Sequence, residues 1–345
     1  MNENIQNVEN EVKIDGLLSV SPSPHIKNGI TTQKIMLHVI IALLPATIWG
    51  IIMFGGKAAA VVAISVISCL FFEWATQKIL KRKCTVSDLS AVVTGLLLGM
   101  NLPSDVSPLI PVVGAFIAIV VVKQLFGGIG KNFLNPALAA RVFLFMSWSG
   151  EMATFKAPLG VSVDVAASAS SDAVAYATPL ASLAGTGESG ASILDMFIGR
   201  IGGCIGEVSS LLLLVGAIYL IMMKVISWHI PVCYLGTVAI ITFLFPQGGM
   251  SGLEFMLTQL FAGGLMLGAL FMATDYVTSP VTAKGRVIFG IGCGLLTVFF
   301  RYFSSYPEGV SFSILVMNAL VWYLDKATAP RVFGTKKTKA EVAKK

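Results

Sequence analysis

The stretch IMLHVIIALLPATIWGIIMF, Ile35 to Phe54, contains no Asp, Glu, Lys or Arg. A helix rises 1.5 Å per residue, so about 20 such residues span the roughly 30 Å hydrocarbon core of a bilayer. Working outward, the same reading applies to Ala58–Ala75, Pro108–Phe126, Ile201–Met223, Trp228–Phe245, Val287–Phe303 and Val310–Leu324. Three further stretches are shorter or interrupted: Leu89–Leu102, Phe133–Trp148 and Leu257–Thr274. Composition agrees. The chain is 55% hydrophobic and 12% charged, with a mean hydropathy of +0.82, whereas soluble domains carry about 25% charged residues. The sequence therefore predicts an all-α integral membrane protein of about ten transmembrane helices.

Charge sets the expected orientation. Lysine and arginine concentrate in short cytoplasmic loops, and with both termini placed inside, most of the 24 basic residues fall on that side. Lys78, Lys81, Arg82 and Lys83 form one group, and the tail with Lys336, Lys337, Lys339, Lys344 and Lys345 another. The formal charge of +6 thus reads as topology, with membrane lipid as the partner and no nucleic acid. The first 34 residues lack an apolar h-region, so no cleavable signal is expected. This gives five parts: a cytoplasmic tail (1–34), a first five-helix repeat (35–148), an extracytoplasmic loop (149–200), a second five-helix repeat (201–325) and a basic cytoplasmic tail (326–345). Cys69, Cys84, Cys204, Cys233 and Cys293 are scattered and form no C-x-x-C pair, which excludes a disulfide framework, iron-sulfur or zinc site within this chain as the sequence's expectation.

The division into repeats rests on Gly95-Leu-Leu-Leu-Gly99, which returns as Gly264-Leu-Met-Leu-Gly268. The copies lead to Asp105-Val-Ser-Pro108 and Asp275-Tyr-Val-Thr-Ser-Pro280. They fall in the third and eighth spans, so each repeat holds five helices, and this odd number inverts the second copy. Paired Gly-interrupted segments of this kind point to a site between the halves. The competing reading is that G-x-x-x-G is only a helix-packing face.

Few motifs carry chemistry by themselves. Gly127-Gly-Ile-Gly130-Lys131 is not a phosphate loop, because Leu125 and Asn132 stand where glycine and Ser or Thr are needed, and Gly290-Ile-Gly292-Cys-Gly294 lacks the last glycine of a dinucleotide fingerprint. Asn135 before Pro136 reads as a helix N-cap, starting a short helix that carries Arg141 inside the membrane, where a charge needs a partner or water. Glu207 is a second acid in an apolar setting, with Arg200 as its expected partner. Glu73, beside Gln77 and Lys78, reads as solvated at the interface. Both acids are candidates for an ion pathway. His38 reads as a polar core histidine rather than a metal ligand.

Four segments together resemble the family of D subunits of Rnf-type ferredoxin:NAD oxidoreductases and, less closely, the B subunits of sodium-pumping NADH:quinone reductases. They are Gly127–Leu144 with its K-N-x-x-N-P-A-x-x-A-R core, Asp172–Leu180, Ala273-Thr-Asp-Tyr-Val-Thr-Ser-Pro280, and Gly285-Arg286. The resemblance implies paired five-helix halves similar to those of urea transporters. It also implies a flavoprotein that carries FMN as a phosphoester on the threonine of a D-x-x-x-x-A-T motif. On this sequence that threonine is Thr178, with Asp172, Ala177 and Pro179 completing the motif, attached outside the cytoplasm by a flavin transferase. A second, non-covalent flavin such as riboflavin is implied between the halves, near Asn132, Asn135, Arg141, Asp275 and Ser279. The implied partners in the Rnf complex are its A-type and E-type membrane proteins, its G-type flavoprotein and its B-type and C-type iron-sulfur proteins. The implied setting is the bacterial cell inner membrane, in a translocase that exports Na+ or H+ and in which this chain is not active alone.

Two rival classes remain open. A channel or transporter for a small polar solute suits the inverted repeat and the uncharged short spans; the other is a purely structural anchor for other subunits. Thr178 separates them, since neither needs a flavin.

Overall fold

The computed structural model describes residues 30–159, 178–186, 190–304 and 308–330. Of the motif residues, Asp172 and Ala177 lie outside the described residues, as do most of the 1–34 tail and of the basic C-terminal tail. The described residues are helical, with no strand among them. In the first half the helices are α1 (Thr32–Phe54), α2 (Gly56–Ile79), α3 (Ser90–Met100), α4 (Leu109–Gln124) and α5 (Pro136–Ser147). Two short helices follow, α6 (Pro179–Thr186) and α7 (Ile193–Ile198). The second half holds α8 (Ser210–Met222), α9 (His229–Leu244), α10 (Gly252–Phe261), α11 (Leu265–Met272), α12 (Ala283–Phe303) and α13 (Val310–Thr328).

Four of these, α1, α2, α12 and α13, are long and apolar enough to cross a bilayer, and α10 with α11 makes a fifth candidate bent by 66°. The chain is a membrane protein with several apolar helices. The remaining apolar stretches form α3, α4, α5, α8 and α9, each 10–17 residues long. At 1.5 Å per residue the shortest of them end short of a full crossing. Every apolar stretch read from the sequence overlaps one of these helices or the bent pair.

Packing follows a mirrored order. In the first half α2 lies against α3 and α4, and α4 against α5; in the second, α9 lies against α10 and α12, and α12 against α13. Between the halves, α1 packs on α8 and α5 on α13. The first glycine motif is a packing face: a Cβ on Gly95 would stand 2.7 Å from the Cα of Val66, and one on Gly99 3.0 Å from that of Val62, so α2 and α3 meet backbone to backbone. The second copy differs. A Cβ on Gly264 would stand 2.5 Å from a carboxylate oxygen of Glu207, so this glycine makes room for a charge.

One expected span is shorter than read. Ile201–Met223 is helical only from Ser210; residues 201–209 are non-helical although buried. Gly202, Gly203 and Gly206 disfavour helix there, and the backbone finds other partners. Ile205 N–H donates to Leu102 O (3.1 Å) and Gly206 N–H to Met100 O (2.7 Å), satisfying carbonyls left free beyond the end of α3. Irregular backbone is tolerated at membrane depth when it is enclosed by protein in this way. This loop positions the site.

Two α-helical runs also give way to π-helix, over Ile117–Gln124 at the end of α4 and Gly268–Met272 in α11. Such segments are rare and frequently mark functional sites.

Candidate functional site

Buried charge gathers in two places. The first forms where α5, the 201–209 loop and the start of α13 meet. Arg141 on α5 is 6% exposed, and its guanidinium lies 3.2 Å from Glu207 Oε1 and 2.9 Å from Glu308 Oε2. It also donates to Asn101 Oδ1 (2.9 Å) at the end of α3, to Ser311 Oγ (3.4 Å) and to Cys204 Sγ (3.6 Å). Arg141 is thus a structural and electrostatic hub and not a stray or snorkelling side chain. Two carboxylates share one guanidinium, so these three side chains sum to one negative charge away from water. The expected Glu207–Arg200 pair does not form. The 201–209 loop turns Glu207 inward to Arg141 instead.

Thr178 stands over this cluster. It is 4% exposed and lines a cavity of about 10 Å³ together with Pro179, Gly203, Glu207, Gly263 and Glu308. Its hydroxyl oxygen accepts from Ala181 N–H (3.3 Å) at the start of α6. A hydroxyl at a helix N-terminus has the chemistry to carry a phosphoester, since the free N–H groups there favour phosphate oxygens. The space does not suit the rest of a flavin: about 10 Å³ is room for one water. The cavity beside the hydroxyl therefore has room for the acceptor atom but is too small to enclose the ring system.

The second place is at the far end of α2. Glu73 is fully buried, not solvated at the interface as its neighbours Gln77 and Lys78 suggest. It meets Lys123 of α4, whose Nζ lies 2.7 and 3.0 Å from its oxygens and donates also to Ser90 Oγ at 2.7 Å. Gln77 and Gln124 donate to the same carboxylate, each at 3.2 Å. Next to this pair lies a cavity of about 100 Å³, lined by Ser90, Thr94, Lys123, Asn132, Asn135 and Asp275 among others. Asn135 is the N-cap of α5 as expected, accepting from Ala137 N–H (3.1 Å) and Leu138 N–H (3.3 Å), while its amide donates to Met272 O across the seam between the halves (3.2 Å). Asp275, between α11 and α12, accepts from Thr278 Oγ1 (3.1 Å). Loss of surrounding water pushes its carboxyl above the ordinary carboxylate range, against the Thr278 hydrogen bond and the Lys123 charge.

Asn132, Asn135 and Asp275 therefore share one cavity, whereas Arg141 belongs to the other cluster and Ser279 does not line either cavity. The cavity is smaller than the roughly 300 Å³ at which pockets begin to enclose cofactor-sized ligands. Sequence reasoning missed Lys123 and Glu308. Lys123 ends an apolar stretch and reads as an ordinary positive-inside residue, and Glu308 sits in a connection that reads as solvated. The one available signal is Glu73 and Gln77, a helical turn apart, facing a Lys123-Gln124 doublet. His38 bonds Tyr219 (2.7 Å) between α1 and α8, the polar packing role expected. The cysteines are free, and Cys69, Cys204 and Cys293 are buried.

Residues 19–334 match the NQR2, RnfD, RnfE family. The chain belongs to that family. It is 50% identical over 94% of its length to the D subunit of the Na(+)-translocating ferredoxin:NAD(+) oxidoreductase complex of Acetobacterium woodii, covering 98% of that protein. It is 41% identical over 93% of its length to the D subunit of the proton-translocating ferredoxin:NAD(+) oxidoreductase complex of Clostridium ljungdahlii, covering 97% of it. To the D subunit of the ion-translocating oxidoreductase complex of Stutzerimonas stutzeri it is 40% identical over 88% of its length, covering 92% of that protein. These relatives span both coupling ions, so similarity alone does not choose between Na+ and H+.

Proposed function

We propose that this chain is the D-type membrane subunit of an ion-translocating ferredoxin:NAD oxidoreductase, and that it holds FMN through Thr178 on the extracytoplasmic face. The observation that carries the reading is near full-length similarity to D subunits, joined to a buried threonine hydroxyl at a helix N-terminus above three membrane-embedded charges. A flavin supplies one- and two-electron chemistry that side chains lack, while the protein binds and tunes it. Nothing in this sequence offers an NAD or iron-sulfur motif. Ferredoxin, NAD and the iron-sulfur centres therefore belong to partners, namely the A-, B-, C-, E- and G-type proteins of the complex, and a transferase attaches the flavin.

Because the cavity beside Thr178 is too small for the ring system, the ring lies outside it, or the residues around Thr178 leave their seat when the threonine is loaded. The architecture proposed with it is ten spans in two inverted five-helix repeats in the bacterial inner membrane, with cytoplasmic termini. The mirrored packing order of α2–α5 and α9–α13 supports it. In this frame Arg141, Glu207 and Glu308 lie toward the outside and Glu73 and Lys123 toward the cytoplasm, so each end of an ion path has a buried acid. A second flavin such as riboflavin, near Asn132, Asn135 and Asp275, requires their cavity to widen.

A denaturing gel of the purified chain, viewed under ultraviolet light, tests the flavin. Fluorescence that survives denaturation and disappears in Thr178→Ala is the expected result. A dark wild-type band from cells that contain a flavin transferase contradicts it and leaves the solute-transporter reading.

A further inference from the structure

Glu207 keeps a carboxylate oxygen that no hydrogen bond satisfies. The residue is 5% exposed, and although its Oε1 lies 3.2 Å from the Arg141 guanidinium, that oxygen accepts no hydrogen bond among the described residues. A buried polar atom in this state is costly and calls for a ligand. Glu308 stands 2.9 Å from the same guanidinium, and ligand atoms of Cys204, Glu207 and Glu308 all lie within 4.8 Å of one another. Both carboxylates line the cavity of about 10 Å³ at Thr178, and a Cβ on Gly203, in the same wall, would stand 3.7 Å from Glu207 Oε2. Arg141 offsets one of the two acids, so the three side chains keep one negative charge. The next base, Arg301 behind Gly263, is spent on Gln259 Oε1 (2.9 Å) and Ala262 O (3.0 Å) at the end of α10, and forms no ion pair with either acid among the described residues.

The rest of the wall suits a cation. Thr178 lines it, and Gly202, Gly203 and Gly263 can contribute only backbone. These glycines come from two breaks in helical structure, the unwound 201–209 stretch and the 66° bend between α10 and α11. Unwound backbone and the C-terminal ends of broken helices are where membrane transporters coordinate Na+, because carbonyls there lack intrahelical donors. Space for one water is space for one small bare ion and not for a hydrated one. The charge chooses its valence: a monovalent ion brings the three side chains to neutrality, whereas a divalent ion would leave an excess positive charge beside Arg141. The guanidinium is itself tethered by Asn101 Oδ1 and Ser311 Oγ, so it holds both carboxylates in place.

We propose that Glu207, Glu308, the Thr178 hydroxyl and the glycine backbone around them form a site for one small monovalent cation. Glu207 and Glu308 supply the charge, Thr178 and the backbone supply neutral oxygens, and Arg141 positions the two acids. The site deepens the ion-translocating reading of the chain, on which it rests, and does not depend on the flavin.

Equilibrium binding of 22Na+ to the full chain in detergent tests it, with protein from cells that lack a flavin transferase so that the Thr178 hydroxyl is free. Wild type should bind saturably, Li+ should displace the label, and Mg2+ should not. Glu308→Gln keeps the Arg141–Glu207 pair but removes the net negative charge, and should weaken binding by about tenfold or more; Glu207→Gln should do the same. Glu151→Gln, an exposed acid away from the cavity, is the control and should bind as wild type does. No saturable binding by wild type, or unchanged binding in either folded glutamine variant, overturns the site, and displacement by Mg2+ overturns its valence. If both glutamine variants fail to fold, Thr178→Val decides: it removes one oxygen at nearly constant shape and should weaken binding severalfold, and unchanged binding there overturns the site. Ion transport by the assembled complex is a separate measurement, so loss of this site and loss of the ion-translocating reading are told apart.

Discussion

Arg141 shows how far a single residue can be read. A lone arginine in an apolar helix must find partners, and that requirement was legible; the identity of the partners was not. Glu308 lies 167 positions away in sequence, and only the 201–209 loop brings Glu207 inward. Removing the guanidinium leaves two buried carboxylates facing one another. Breaking a buried pair from one side costs about 3–5 kcal/mol, so Arg141→Gln should markedly lower the thermal unfolding midpoint in detergent. Glu308→Gln keeps the Arg141–Glu207 pair and should cost less. Equal, near-zero shifts in both variants would show that the cluster is not the buried hub described. Glu73 teaches the complementary lesson. Gln77 and Lys78 follow about one helical turn later, so it reads as solvated, but burial is decided by Lys123 and Gln124 on another helix.

At the scale of elements, apolar length found the helices, while their ends and interruptions came from chemistry that length does not encode. Asn135-Pro136 was legible because capping is local. The unwinding of 201–209 was not, because it depends on carbonyls that α3 leaves free at Met100 and Leu102. The glycine repeat was legible as a repeat, yet its copies do different work. Gly95→Ala should force α2 and α3 apart at a cost of about 1–3 kcal/mol, whereas Gly56→Ala, with nothing within 4 Å of the added carbon, should be neutral or slightly stabilising. Thermal unfolding of the two variants side by side checks this, and equal effects would refute the close approach at Gly95.

The short helix α6 and its Thr178 end make a further prediction. Cys204 is 1% exposed beneath them and bonds Arg141. If loading lifts this segment, an impermeant maleimide added from outside should label Cys204 faster in the flavin-loaded chain than in Thr178→Val, with Cys204→Ser as the control for specificity. Identical rates would mean that the segment stays docked, and that the flavin finds room by another rearrangement.

For the whole molecule, one buried cluster ties α5 to the second half and the other lies between α2 and α4 of the first half. Their proposed placement at opposite faces depends on the inverted topology. Charge bias, apolar pattern and resemblance all led to that arrangement from the sequence. Its functional content was legible only through Thr178, since a hydroxyl before a proline has no special meaning by physics alone. The central claim is that this hydroxyl carries the flavin. Intact mass spectrometry of the chain, purified from cells that contain the transferase, measures it most directly. The account predicts a single addition equal to FMN less one water, mapped to Thr178 and absent from Thr178→Ala; an unmodified wild-type mass, or an addition that persists in the variant, would contradict it.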